Sequence, residues 1–290
     1  MNTVLPVVAG VDGSPASLDA AVWAANAAKR RGLPLLLVSV TPVSPGVLSV
    51  LVPLPQEFYD DQRQLTTNVL QEAVARVRAE LGDDALEIET KAVTGMPAAE
   101  LLAFSKQAAM MVTGTRGLGE LTAGLAGSVS SALIGHAGCP VVVIHGGKPQ
   151  SNASEGPVVV GVDGTDNSVP AVAAAFEEAA LRSVDLIAVH AFSDVLLASW
   201  FEDDWVSIEE AERAVLSEQL AGYADRYPDV KVRSVVSKDR PVNSLLEHAD
   251  QASLIVVGSR GRGGYMGMLL GSTSRAIVHT AEVPVMIVRH

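Results

Sequence analysis

The chain has 290 residues, 48% hydrophobic and 19% charged, which suits two ordinary globular domains and excludes a disordered chain. A formal net charge of -12 would repel a nucleic-acid backbone, and a single cysteine, Cys139, excludes an internal disulfide and a cysteine-rich zinc site. There is no apolar run of the ~18 residues a membrane span needs and no signal-peptide pattern, so no membrane insertion and a cytoplasmic, reducing location are expected.

In chain order, "VLPVVAGV" reads as a strand, and Ser14 followed by Pro15 opens a helix through "SPASLDAAVWAANAAKR". "LPLLLVSV" is the second strand. The stretch Asp60 to Leu81 then places Leu65, Val69, Leu70, Val74 and Val77 at helical spacing. "LEIETKAV" alternates as a strand, "PAAELLAFSKQ" is a short helix, "AAMMVTG" a buried strand, "SVSSALIGHA" a helix and "CPVVVIH" a final strand. Strands and helices thus alternate, which implies an α/β fold: a doubly wound parallel sheet covered on both faces. In such a sheet ligands sit beyond the carboxyl ends of the strands, where the strand order reverses.

The chain is then written a second time. Val158 to Ser168 repeats Val7 to Ser17, Leu245 to Gly261 repeats Leu101 to Gly117, and Val283 to Arg289 repeats Cys139 to His145. The polar, Gly-, Ser- and Pro-containing stretch around Gly146 to Gly156 is a linker, so the expected domains are 1–145 and 157–290, two tandem copies.

Each copy carries a loop of the form G-x2-G-x9-G-[ST]: Gly114, Gly117, Gly127 and Ser128 in the first, Gly258, Gly261, Gly271 and Ser272 in the second. Glycines let backbone approach a ligand, and the helix start that follows offers unpaired N–H groups and a positive dipole end, a place for phosphate. Ser128, Ser130, Ser272 and Ser274 add hydroxyls, and Arg116, Arg260 and Arg262 add guanidinium groups. The plainer reading is an ordinary strand-to-helix turn with Gly for tightness and Ser for capping. No G-x-x-x-x-G-K-[ST] is present, and the first turn reads "GVDGSP" or "GVDGTD" rather than G-x-G-x-x-G, which removes the Walker and dinucleotide motifs. Asp12 and Asp163 in those turns suit a local Asp-Gly turn, acceptance of hydrogen bonds from ribose hydroxyls or an exocyclic amine, or a share in holding a divalent ion.

Other residues invite chemistry less strongly. His136 and His279 fall near helix C-termini, where a dipole contact explains them, and Cys139 reads as a small buried apolar residue. His190, after the second strand of the second copy, is either structural or a ligand contact. No serine sits in a G-x-S-x-G elbow, so no catalytic residue is assigned. The acidic stretch Phe201 to Glu212, with Trp200 and Trp205, is a solvated loop and helix face or a partner surface.

The "GVDGS" opening, the G-x2-G-x9-G-[ST] loop and the "CPVVVI" or "VPVMIV" ending, in that order and in both halves, resemble the universal stress protein family. The resemblance covers essentially the whole chain as a tandem pair. It implies Rossmann-like domains of strand order 3-2-1-4-5 that bind ATP, at two sites here, with Mg2+ as a candidate companion of the nucleotide. By position it implies adenosine contacts at Gly10, Val11, Asp12 and Val40, and at Gly161, Val162, Asp163 and Ala191. Phosphate contacts would be Gly114, Arg116, Gly117, Gly127, Ser128, Val129 and Ser130, then Gly258, Arg260, Gly261, Gly271, Ser272, Thr273 and Ser274. The family also pairs its closing strands edge to edge, which suggests Val141 to Ile144 against Val285 to Val288, and a homodimer is the expected assembly. Leu118 stands where the second half has Arg262, and Glu120 where it has Gly264, so the second site is expected to hold triphosphate more tightly. The expected function is a nucleotide-dependent regulator in stress response or growth control. A slow ATPase or self-phosphorylating enzyme, and a scaffold that ignores nucleotide, are the alternatives.

Overall fold

Runs of Val, Leu, Ile and Met form strands that are buried along most of their length, as the two-sided cover of a parallel sheet requires, whereas the strands Ile88–Gly95 and Val232–Ser237 hold no buried residue. The computed structural model describes residues 4–42, 56–82, 86–115, 127–146, 156–192, 205–262 and 270–289. It divides into two compact units, Met1–Gly147 and Lys148–His290.

In the first unit β1 (Val7–Gly10), β2 (Leu35–Pro42), β3 (Ile88–Gly95), β4 (Met110–Gly114) and β5 (Val141–Ile144) pair in parallel in the order β3-β2-β1-β4-β5. Its helices are α1 (Pro15–Arg31), α2 (Gln56–Leu81), α3 (Pro97–Ser105) and α4 (Ser128–His136). The order reverses between β1 and β4, so a crevice opens beyond their carboxyl ends.

The second unit repeats this plan. β6 (Val158–Val162), β7 (Leu186–Ala191), β8 (Val232–Ser237), β9 (Leu254–Gly258) and β10 (Val285–Val288) pair in parallel in the order β8-β7-β6-β9-β10. A short 3-10 turn (Asp166–Ser168) leads into α5 (Val169–Arg182), followed by α6 (Trp205–Leu220), α7 (Tyr223–Arg226), α8 (Pro241–Glu247) and α9 (Ser272–Thr280). Both units therefore have the expected 3-2-1-4-5 order.

Local chemistry explains the entry to the site. Ser14 caps α1, its Oγ accepting from the Ser17 N–H at 3.3 Å, with Pro15 at the first helical position and Gly32 in the left-handed conformation at the far end. The buried face of α1 is almost all alanine, with Ala20, Ala21, Ala24, Ala25, Ala27 and Ala28 fully buried, and small side chains let the helix lie close to the sheet. Gly114 completes that fit. A Cβ there would stand 2.9 Å from the backbone carbon of Ala16.

One expectation needs revision, and another falls partly outside the described residues. Helix α2 begins at Gln56, four residues before Asp60, and its apolar stripe is not all core: Leu70 and Val77 are buried, whereas Leu65 is 57% exposed. The acidic stretch is helical from Trp205 onward, while Trp200 and residues 201–204 lie outside the described residues.

Candidate functional site

The crevice of the first unit widens into a cavity of about 750 Å³, within the range of small-molecule sites. Gly10, Val11 and Asp12 after β1, Ser39 and Val40 at the end of β2, and Thr113 and Gly114 at the end of β4 form its floor. Helix α2 supplies one wall with Gln62, Leu65, Thr66, Val69 and Glu72. The opposite side is Gly127 and the first turn of α4, Ser128, Val129 and Ser130. Leu65 is thus exposed because it faces this space. Of the first-half residues proposed from sequence, all nine that are described line the cavity, and Arg116 and Gly117 lie outside the described residues.

The polar atoms around the cavity have definite roles. Asp12 Oδ1 accepts from the Ser14 backbone N–H at 3.0 Å and from Ser14 Oγ at 2.6 Å, so one carboxylate oxygen organises the turn. Thr66 Oγ1 donates to the Gln62 carbonyl at 3.0 Å and lies 2.6 Å from Thr41 Oγ1, which fixes α2 against β2. The Ser130 hydroxyl turns its one proton to the Gly127 and Thr115 carbonyls, 3.0 and 3.3 Å away. It presents lone pairs, not a donor, to the cavity. Donors for an anion come instead from the first-turn N–H groups of α4, which have no acceptor within the helix.

The second unit builds the same turn and sets charged side chains beside it. Asp163 Oδ1 accepts from the Thr165 N–H and Oγ1, both at 2.8 Å, while its Oδ2 is buried with no hydrogen-bond partner among the described residues. That oxygen is an acceptor waiting for a donor. Ser274 Oγ donates to the Gly258 carbonyl at 2.6 Å, as Ser130 turns to backbone in the first unit. Gly164, at φ +75, has Arg262 Nη2 2.7 Å from where a Cβ would be, with Val215 at 2.9 Å and the His190 ring at 3.4 Å. Arg262 Nη2 also lies 3.4 Å from Glu212 Oε2. Arg262 is therefore folded over the turn onto Glu212, not held ready for phosphate as its place in the loop suggested.

His190 lies within β7 rather than after it, fully buried, with Nδ1 2.8 Å from the Val162 carbonyl and Nε2 2.6 Å from Glu212 Oε2. Arg260 is exposed at the loop, and Gly261 approaches Asp163 Oδ2, 3.1 Å from where its Cβ would stand. Gly271, Ser272, Thr273 and Ser274 cap and open α9 as Gly127 to Ser130 do α4. Gly161, Val162 and Ala191 occupy the strand-end positions of Gly10, Val11 and Val40. Among the described residues no cluster of three or more His, Cys, Asp or Glu is placed to hold a metal ion. Cys139 is buried, and burial pushes its thiol up to about 12, which makes it unreactive at neutral pH.

Against known families, the universal stress protein family model matches residues 4–145 and again 156–289. The chain belongs to the universal stress protein family. A universal stress protein of Mycobacterium tuberculosis is 41% identical over 291 residues, covering 99% of this chain and 97% of that protein. One from Mycolicibacterium smegmatis is 40% identical over 285 residues, covering 98% and 96%. The crystal structure of a universal stress protein from Archaeoglobus fulgidus superposes with a TM-score of 0.71 at 20% identity, covering 99% of each chain, a likeness of fold. The tandem architecture is thus common to full-length relatives of this universal stress protein.

Sequence reasoning missed Ser39, Gln62, Leu65, Thr66 and Glu72 in the first cavity and Glu212 in the second unit. All but Ser39 lie on the helix after the second strand, whose copies carry no shared motif.

Proposed function

We propose that this universal stress protein binds adenine nucleotide, ATP in particular, and acts as a nucleotide-dependent regulator in stress response or growth control. The observation that carries the reading is the first-unit cavity, where residues from three separate sequence signatures converge beyond the strand ends. Its apolar walls, Val11, Val40, Leu65 and Val69, suit a flat base. Asp12 supplies an acceptor for ribose hydroxyls or an exocyclic amine, and the α4 N-terminus supplies N–H donors for phosphate. In the second unit the buried Asp163 Oδ2 offers the equivalent acceptor, and the α9 N-terminus the equivalent anion site. When bound, ATP brings a polyanion, and Mg2+ with it would be held chiefly by the phosphates. Regulation follows if one conformation or assembly, a homodimer among them, binds nucleotide better than another. A ligand at one hundred times its Kd stabilises the binding state by about 2.7 kcal/mol.

The test is to purify the protein without added nucleotide, denature it, and identify what is released by chromatography and mass spectrometry. Calorimetric titration of the emptied protein with ATP follows. ATP recovered or bound near stoichiometrically, and lost in the double variant Asp12→Ala with Asp163→Ala, is the expected result. A protein that carries none and binds none would leave the glycines serving only their turns.

A further inference from the structure

Hydroxyl groups line the first cavity, and several of their protons are already committed within the protein. Thr66 Oγ1 donates to the Gln62 carbonyl at 3.0 Å, so in its 2.6 Å contact with Thr41 Oγ1 the proton between them is Thr41's. Ser17 Oγ donates to the Ser14 carbonyl at 2.9 Å, Ser130 turns to the Gly127 and Thr115 carbonyls, and Thr113 Oγ1 lies 3.3 Å from the Gly114 carbonyl. A hydroxyl has one proton to give, so each of these would have to release a protein acceptor before donating to a ligand. Ser39 is different. It is 4% exposed and lines the cavity, and its hydroxyl has no hydrogen-bond partner among the described residues. The Thr115 hydroxyl is likewise uncommitted, but it lies at the far end, beside Gly127 and the start of α4.

Side chains alternate along β2, so Ser39 shares a face with Thr41, which meets α2 through Thr66. The Val11 N–H donates to the Val38 carbonyl, which sets the end of β1 beside Ser39. The hydroxyl thus belongs to the part of the cavity with apolar walls, Val11 and Val40 at the strand ends and Leu65 and Val69 on α2. A buried hydroxyl without a partner is costly until a ligand or water matches it. A base held by such walls has ring nitrogens that need donors, and the Asp12 and Glu72 carboxylates only accept. The second unit is built otherwise. Val69 packs on Gly13 as Val215 packs on Gly164, which sets Thr66 opposite Glu212, and the strand register sets Ser39 opposite His190. His190 has Nδ1 on the Val162 carbonyl and Nε2 on Glu212, so both of its polar atoms are taken.

We propose that Ser39 is a specificity-determining residue of the first site: its hydroxyl donates to a ring nitrogen of the bound base, a contact the second site lacks because His190 holds that place with both nitrogens engaged. The inference rests on the nucleotide reading above and names how the first site selects its base. A base that lacks the matching nitrogen loses affinity at the first site through Ser39 and keeps its affinity at the second as far as this position is concerned.

The experiment is calorimetric titration of the Asp163→Ala variant, which reads the first site, with and without Ser39→Ala. The ligands are ATP and the analogues in which N1, N3 or N7 of the ring is replaced by a C–H group. Ser39→Ala should weaken ATP by roughly two- to tenfold, the range of one net hydrogen bond. One analogue should bind the Ser39 protein as weakly as ATP binds the alanine variant and lose nothing further on Ser39→Ala, while the others lose as much as ATP does. In the Asp12→Ala background, which reads the second site, Ser39→Ala should leave ATP affinity unchanged. Nucleotide-free Ser39→Ala should unfold at the same or a higher temperature, since no bond within the protein is lost, which separates a ligand-facing hydroxyl from a structural one. Unchanged ATP affinity at the first site, an equal loss with every analogue, or a lowered unfolding temperature overturns the role of Ser39 and leaves nucleotide binding standing. No ATP binding at the first site, in wild-type protein as well, overturns both.

Discussion

The two units share strand order, turn geometry and glycine spacing, yet their described side chains differ at the strand ends: the first lines a cavity with small and apolar residues, and in the second Arg262 reaches Glu212 beside His190. The backbone is the same solution to the same alternation of strands and helices. Among the differences are Ser39 against His190, Thr66 against Glu212 and Leu65 against Ala211, together with Arg262. A duplicated scaffold thus constrains where a site lies much more tightly than what fills it, because backbone hydrogen bonds set the crevice and side chains set its volume and charge.

A second contrast lies beneath the sheet ends and has the largest expected effect. In α5 the Arg182 Nε lies 2.9 Å from Glu178 Oε2, both side chains almost fully buried, where α1 has fully buried Ala27 and then Arg31. Glu178→Ala makes the second unit resemble the first in sequence but strips a buried guanidinium of its carboxylate. It should destabilise by about 3–5 kcal/mol, read by urea unfolding. A change under about 1 kcal/mol would mean the two helices tolerate either chemistry.

Next in size is the glycine at the end of the fourth strand of each unit. Gly114→Val must push back the backbone of α1, 2.9 Å from the added Cβ, whereas Gly258→Val meets the Arg260 and Asn167 carbonyls at 3.2 Å. Overpacking of this kind costs about 1–3 kcal/mol, and Gly114→Val should stand at the upper end and lower the melting temperature more. Equal losses would erase this difference between the units.

Transplanting the second unit's side chains tests the comparison at the site itself. Ser39→His with Thr66→Glu should narrow the first cavity and weaken its ATP binding by at least roughly tenfold, about 1.4 kcal/mol, and the loss of the Thr41–Thr66 contact should lower the unfolding temperature as well. Unchanged affinity would mean that these positions do not govern access.

The smallest effect is expected at Cys139, whose counterpart is Val283. Burial pushes the Cys139 thiol from 9.0 to about 12, so the folded state holds its proton more tightly than the unfolded chain. Its contribution is complete below the unfolded value and is lost as pH rises from about 9 to about 12. Cys139→Val should be near neutral at pH 7 and should flatten that alkaline decline in unfolding experiments. Native Cys139 should resist alkylation at pH 8 until the chain is unfolded, and rapid labelling would show the strand edge to be open.

Much of the fold was legible because parallel strands and amphipathic helices leave periodic traces. Ser14 and Pro15 announced α1, and the repeated glycine spacing announced the helix starts at Ser128 and Ser272. The candidate site was legible where backbone geometry demands particular residues, at Asp12-Gly13 and Gly127-Ser128. It was illegible on α2 and α6. Glu212 and His190 are 22 positions apart, and nothing in either neighbourhood marks them as partners.

What the sequence by itself determined is two copies of an α/β domain with an anion-suited loop at the same place in each, since periodicity, caps and glycine spacing are local properties of the chain. Only the tertiary structure decided that Leu65 faces a cavity, that Ser130 spends its proton on backbone, and that Arg262 lies on Glu212 beside a buried histidine. Those facts depend on which side chains meet after distant segments pack. Charge and volume in a crevice are sums over such meetings, and no single stretch of sequence carries them.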